Sequence, residues 1–101
     1  RNEYRERKSI LQKAMNEFMP DGVQWTEPLG GFYSWLWFPE GFSSTELFEN
    51  CRERGVVFVT GRTFDPHNER DNCLRLAFSN MPRKHIEPGI RILSEEIRKL
   101  L

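Results

Sequence analysis

Neither sign of charge dominates this 101-residue sequence: 15 lysines and arginines stand against 15 aspartates and glutamates. Nucleic acids and anionic membrane surfaces are recognised by a basic excess or patch, so the composition removes the simplest argument for either partner. Long hydrophobic runs are missing too. The longest, residues 32–38, has the length of a strand and falls far short of a membrane span. Cysteine is scarce, with Cys51 and Cys73 far apart and His67 and His85 scattered. No C-x-x-C or H-x-x-x-H spacing exists, which argues against a zinc site. Both thiols fall at positions where partial burial is expected, and there a thiol behaves as a small hydrophobe. With no signal-peptide pattern, the expected location is the cytoplasm. No internal repeat or low-complexity tract appears.

What is there suits one soluble domain spanning 1–101. Apolar residues make up 38% and charged residues 30%, enough for a modest core. Tyr4, Leu11, Met15 and Phe18, flanked by Ile10 and Ala14, follow the 3-4 spacing of a helix that Pro20-Asp21-Gly22 ends. That helix begins uncapped in a run of charges, as a piece cut from a longer helix would. Val23 and Trp25 mark a short strand. Beyond the Leu29-Gly30-Gly31 joint, FYSWLWF reads as a strand with Phe32, Ser34, Leu36 and Phe38 on one face. Tyr33, Trp35 and Trp37 take the other. Aromatics on both faces imply a central strand with a helix layer on one side and something further on the other.

Ser43-Ser44-Thr45-Glu46 is a capping box, with Glu46 expected to reach back to the Ser43 N–H. Leu47, Phe48 and Cys51 form the buried stripe of that helix, and Gly55 its left-handed stop. Val56-Val57-Phe58-Val59 reads as a buried strand and residues 64–72 as a polar loop. Ile86, Ile90, Leu93 and Ile97 space out a last helix. Pro88-Gly89 inside it predicts either a kink or a short first turn, with the main helix starting near Glu87. The fold class is therefore α+β, a small, mostly antiparallel sheet with helices on one face in the order α-β-β-α-β-β-α.

Chemistry concentrates in the strand Asn72-Cys73-Leu74-Arg75-Leu76-Ala77-Phe78-Ser79. Leu74, Leu76 and Phe78 share one face; Arg75 lies on the other between small neighbours. A guanidinium mounted there is either an arginine on the wet face of an antiparallel sheet or a fork for a carboxylate. Its face carries either the Tyr33/Trp35/Trp37 row or the opposite one, and that uncovered face implies a partner surface.

Pro28-Leu29-Gly30-Gly31-Phe32-Tyr33-Ser34-Trp35-Leu36, the Pro39-Glu40-Gly41 turn, Thr45-Glu46-Leu47, the run from Gly55 through Thr60-Gly61-Arg62-Thr63-Phe64, Leu74-Arg75-Leu76-Ala77-Phe78-Ser79 and the closing Ile86/Gly89/Ile90 helix fit one pattern. In that order they resemble the C-terminal small domain of class I/II, fold-type I pyridoxal-phosphate aminotransferases. The flavour is that of the 2-aminoadipate aminotransferase branch, which also supplies the effector half of GntR/MocR-type regulators. The resemblance implies that Arg75 binds the α-carboxylate of an amino acid or 2-oxo acid. It implies too that Tyr33 lies near the substrate and that Gly30 and Gly31 allow close approach. Trp35 and Trp37 are assigned to packing, and Arg62 is open between the site and a structural salt bridge. The parent would use pyridoxal 5'-phosphate, held through a lysine Schiff base. Lys8, Lys13, Lys84 and Lys99 all lie in polar helical or cap positions, so this stretch alone is expected to bind no cofactor and to have no catalytic residue. The missing large domain would supply both, in a parent expected to be a homodimer. A regulator parent would bind DNA only through a separate domain, and a free-standing α+β binding module is the third reading.

Overall fold

Helix α1 (Asn2–Phe18) leads through β1 (Gln24–Trp25) to β2 (Tyr33–Trp37), followed by α2 (Ser44–Arg52), β3 (Val59–Thr60), α3 (Gly61–Phe64), β4 (Cys73–Ala77) and α4 (Arg83–Leu100). This computed structural model describes residues 2–26, 33–65, 67, 70–78 and 81–101. The strands form one sheet in the order β1-β2-β4-β3, and each neighbouring pair is antiparallel. The α+β class and the antiparallel sheet agree with the sequence pattern. Ser34, Leu36, Leu74, Leu76 and Phe78 are buried on one face, in or beside the core that Leu11, Met15, Leu47, Ile86, Ile90, Leu93 and Ile97 bring from α1, α2 and α4.

Four expectations need correction. The strand expected at 56–59 contributes only Val59–Thr60 to the ladder. Val56 and Phe58 are buried and Val57 is exposed, as in a strand. The Val56 N–H, however, is taken by the Cys51 carbonyl at 2.9 Å, which ties the segment to the end of α2 instead of to β4. Gly55, at φ +86°, makes that reversal and is the expected helix stop. Second, α3 is an element the pattern did not contain; it occupies residues read as a turn and the start of a polar loop.

Third, α4 begins at Arg83, four residues before Glu87, and runs through Pro88, so the main helix does not start near Glu87 after a short first turn. An interior proline costs about 3 kcal/mol. Burying Ile86, Ile90, Leu93 and Ile97, each 0–1% exposed, returns about 1.5–3 kcal/mol apiece, so packing carries the helix past its breaker. Fourth, the capping box at α2 is half formed. The Ser43 hydroxyl accepts from the Glu46 N–H at 3.1 Å, but Glu46 is exposed, and among the described residues the carboxylate that bonds this helix start is that of Asp71.

The far end of α2 is tied to α4 by Arg54, which reaches Glu95 and Glu96 at 2.9 Å each, and Lys99 joins Glu96 at 3.0 Å. Hydrogen bonds from Lys99 and Arg54 hold the Glu96 carboxyl below the usual glutamate range. Beside it, burial first and the Glu96 charge second push the Cys51 thiol up to about 11. Both cysteines are free, and at 0% and 5% exposed they are buried more deeply than the partial burial expected.

Candidate functional site

Residues directly opposed in an antiparallel ladder point to the same side of the sheet. In the β2–β4 register Tyr33 faces Ala77, Trp35 faces Arg75 and Trp37 faces Cys73. Arg75 therefore shares its face with the Tyr33/Trp35/Trp37 row, and that face is turned away from α1, α2 and α4. On its other flank Arg75 is opposed by Val59 of β3. The guanidinium thus stands on an inner strand, with backbone pairing on both sides to hold its stem.

Its surroundings are aromatic rather than acidic. The guanidinium carbon lies 4.0 Å from the centroid of the Tyr33 ring and 4.9 Å from that of Phe64. Phe64 in turn lies 4.9 Å from Trp35, and Trp35 stacks on Trp37 at 6.0 Å. Tyr33, Trp37 and Phe64 remain 43%, 39% and 41% exposed, so a band of rings on this face is open to solvent. Among the described residues no carboxylate pairs with Arg75, and its Nε is buried with no hydrogen-bond partner. A buried donor left unpaired is costly and rare in a native fold.

Phe64 reaches this face because α3 sits on it. Gly61 begins that helix so close to β4 that a Cβ there would lie 2.8 Å from Cys73 Sγ and 2.9 Å from the Cys73 carbonyl oxygen. Only glycine permits that approach. The Gly61 N–H donates to Ser44 Oγ at 3.1 Å, and the Arg62 N–H donates to Asp71 Oδ1 at 3.3 Å. Asp71 is the centre of this anchor. It accepts from the hydroxyls of Ser43 (2.8 Å), Ser44 (2.7 Å) and Thr45 (3.0 Å) and from the Thr45 N–H (3.0 Å). Burial pushes its carboxyl up, but the bonds from Ser44, the Thr45 N–H, Ser43 and the Thr45 hydroxyl outweigh it and bring the carboxyl below the usual aspartate value.

Of the residues singled out in the sequence, Arg75 and Tyr33 come together, while Gly30 and Gly31 lie outside the described residues. Trp35 and Trp37 pack on each other as assigned. The Arg62 guanidinium lies 3.7 Å from Asp71, which places it with the anchor instead of with Arg75. Lys13, Lys84 and Lys99 are exposed and Lys8 is half-buried, so none is a desolvated amine. The sequence reading missed Phe64 and Asp71. Both lie in or beside a stretch read as loop, and Asp71 is more than 25 residues from the hydroxyls it gathers. Among the described residues no cluster of His, Cys, Asp or Glu is placed to hold a metal ion, and no helix is long and apolar enough to cross a membrane.

No family model matches the chain. It is similar to aromatic-amino-acid aminotransferase 1 of Thermococcus litoralis, 40% identical over 96 residues that make up 95% of this chain and 23% of that protein. The 2-aminoadipate transaminase of Thermus thermophilus is 34% identical over 101 residues, 100% of this chain and 25% of its own length. Among solved structures, kynurenine aminotransferase of Pyrococcus horikoshii superposes with a TM-score of 0.92 at 37% identity, covering 100% of this chain and 25% of that one. TauR of Rhodobacter capsulatus, named an HTH-type transcriptional regulator, is 32% identical over 98 residues, 94% of this chain and 20% of that protein. The chain thus spans about a quarter of the length of the aminotransferases it matches.

Proposed function

We propose, from the premise that this chain belongs to the pyridoxal-phosphate-dependent aminotransferases, that it is their C-terminal small domain and binds the α-carboxylate of the substrate through Arg75. The observation that carries this reading is the guanidinium itself: inner-strand, on the open face, with a buried Nε that has no hydrogen-bond partner among the described residues. A substrate carboxylate satisfies such a fork with two parallel charge-assisted bonds and fixes the orientation of the molecule. Tyr33 borders the same spot. Gly30 and Gly31 are proposed to let backbone approach the substrate there.

The parent is proposed to move an amino group between an amino acid and a 2-oxo acid, as a cytoplasmic homodimer. Pyridoxal phosphate would supply the electron sink of that reaction. Its seat is proposed to lie outside this chain, a reading supported by the exposure of Lys13, Lys84 and Lys99 and the partial exposure of Lys8. Its attachment and the proton transfers are assigned to the large domain, and the 101-residue piece alone is expected to be inactive. The ring-lined face around Arg75 is where that domain is proposed to meet this one.

The test is R75A in the full-length protein. KM for a 2-amino acid should rise steeply while cofactor absorbance stays unchanged; an unaltered KM would refute the role. The likeness to TauR supports a second reading, an effector-sensing domain in a GntR/MocR-type regulator. Arg75 would serve there as well, and a DNA-binding domain preceding the aminotransferase-like part of the parent decides between the two.

A further inference from the structure

We infer that Tyr33 and Phe64 form an aromatic clamp on the Arg75 guanidinium, and that Phe64 is a positioning residue for carboxylate binding. This rests on the reading of Arg75 as the carboxylate fork. An arginine side chain has many rotamers, and a ligand that must freeze them loses affinity. Nothing polar among the described residues freezes Arg75. Two rings do, with their centroids 4.0 Å and 4.9 Å from the guanidinium carbon. A cation is attracted to the face of a ring, and a guanidinium can stack flat on that face while its N–H groups grip a carboxylate in the plane of the fork. A clamp of that kind leaves the in-plane N–H groups to the ligand.

Phe64 is suited to the task by how it is held rather than by how deeply it is buried. At 41% exposed it gains little from burial, yet it is carried by a four-residue helix whose start is fixed three ways. Gly61 abuts Cys73, its N–H is bound by Ser44, and the next N–H is bound by Asp71. Trp35, directly opposite Arg75 in the ladder, backs the ring at 4.9 Å. The Asp71 anchor is thereby connected to the fork it never touches.

The experiment compares F64L, F64Y and R75A in the full-length, cofactor-loaded protein. Leucine keeps apolar bulk and removes the π face; tyrosine restores the face. F64L should raise KM for a 2-amino acid by about three- to tenfold with kcat little changed, and F64Y should recover the wild-type KM. Circular dichroism and melting of F64L should match wild type. A wild-type KM in F64L overturns the clamp, as does a loss confined to kcat or a KM equally raised in F64Y. If R75A raises KM and F64L does not, the clamp alone falls. If R75A leaves KM unchanged, the carboxylate reading falls and the clamp with it.

Discussion

Asp71 and Arg75 stand four residues apart, one just before β4 and one within it, and their charges meet opposite fates. The Asp71 carboxylate gathers three hydroxyls and two backbone N–H groups from α2 and α3. Arg75 finds no carboxylate among the described residues and keeps a buried Nε without a partner. Both lie in partly buried settings, so the difference is not one of depth. A charge that the fold uses for itself is surrounded by local donors; a charge with only rings around it is held ready for something that arrives. Asp71 is accordingly read as structure and Arg75 as site.

The comparison breaks most visibly at Arg75. Truncating one partner of a well-formed charge pair costs about 2–4 kcal/mol, so kcat/KM of R75A in the full-length parent should fall by roughly 30- to 1,000-fold. Its stability should move by no more than about 1 kcal/mol, because among the described residues two cation–π contacts are lost and an unpaired donor is removed with them. A large drop in stability with activity retained would make Arg75 a structural residue.

At Asp71 the pattern should invert. D71A leaves the hydroxyl of Ser44, a residue with no exposed surface, and the Thr45 and Arg62 N–H groups without their acceptor. Chemical denaturation should show a loss of about 2–4 kcal/mol. The kinetic penalty should be smaller than for R75A and reach the substrate only through α3.

A finer cut separates the two serines of the anchor. Ser43 is the N-cap and donates to Asp71, whereas Ser44 donates to Asp71 and also accepts the Gly61 N–H that starts α3. S44A should therefore cost about 1–2 kcal/mol and exceed S43A, for which loss of a cap predicts about 1 kcal/mol. Equal effects on denaturant midpoints would mean that α3 does not depend on Ser44.

How much of this was legible in the sequence follows from the range of each signal. Alternation within β4 set Leu74 and Leu76 on the face opposite Arg75, and alternation within β2 set Leu36 on the face opposite Tyr33, Trp35 and Trp37, because a strand's own period decides that much. The cap at Ser43 and the stop at Gly55 were readable for the same reason: their partners lie within a few residues. Which aromatic row would join Arg75 was not readable, since it depends on strand register, and register is set between segments some 40 residues apart. Asp71 and Phe64 were missed more completely. One draws its partners from α2, more than 25 residues away, and the other owes its place to Gly61 lying against Cys73, a contact with no trace in local composition. Pro88 misled in the opposite direction: the local rule was right about its cost, but the burial of four aliphatic residues along α4 outweighed it.

The smallest effect sharpens the contrast by pH. The Asp71 carboxyl titrates below its ordinary value of 3.8 in the fold, so the folded state favours the ionised form. Its contribution is complete above that value and is lost as pH falls from there through the lower native pKa. Glu96 adds a loss of the same sign, starting from its ordinary 4.5. Wild type should therefore lose stability to acid faster than D71N, and the gap between their urea midpoints should narrow between pH 6 and pH 3. R75A leaves the Asp71 and Glu96 carboxyls in place, so its curve should run parallel to wild type. A D71N curve that also stays parallel would mean that the hydroxyls around Asp71 serve its neutral form as well as its charge, and the distinction between a satisfied and a waiting charge would then rest on Arg75 alone.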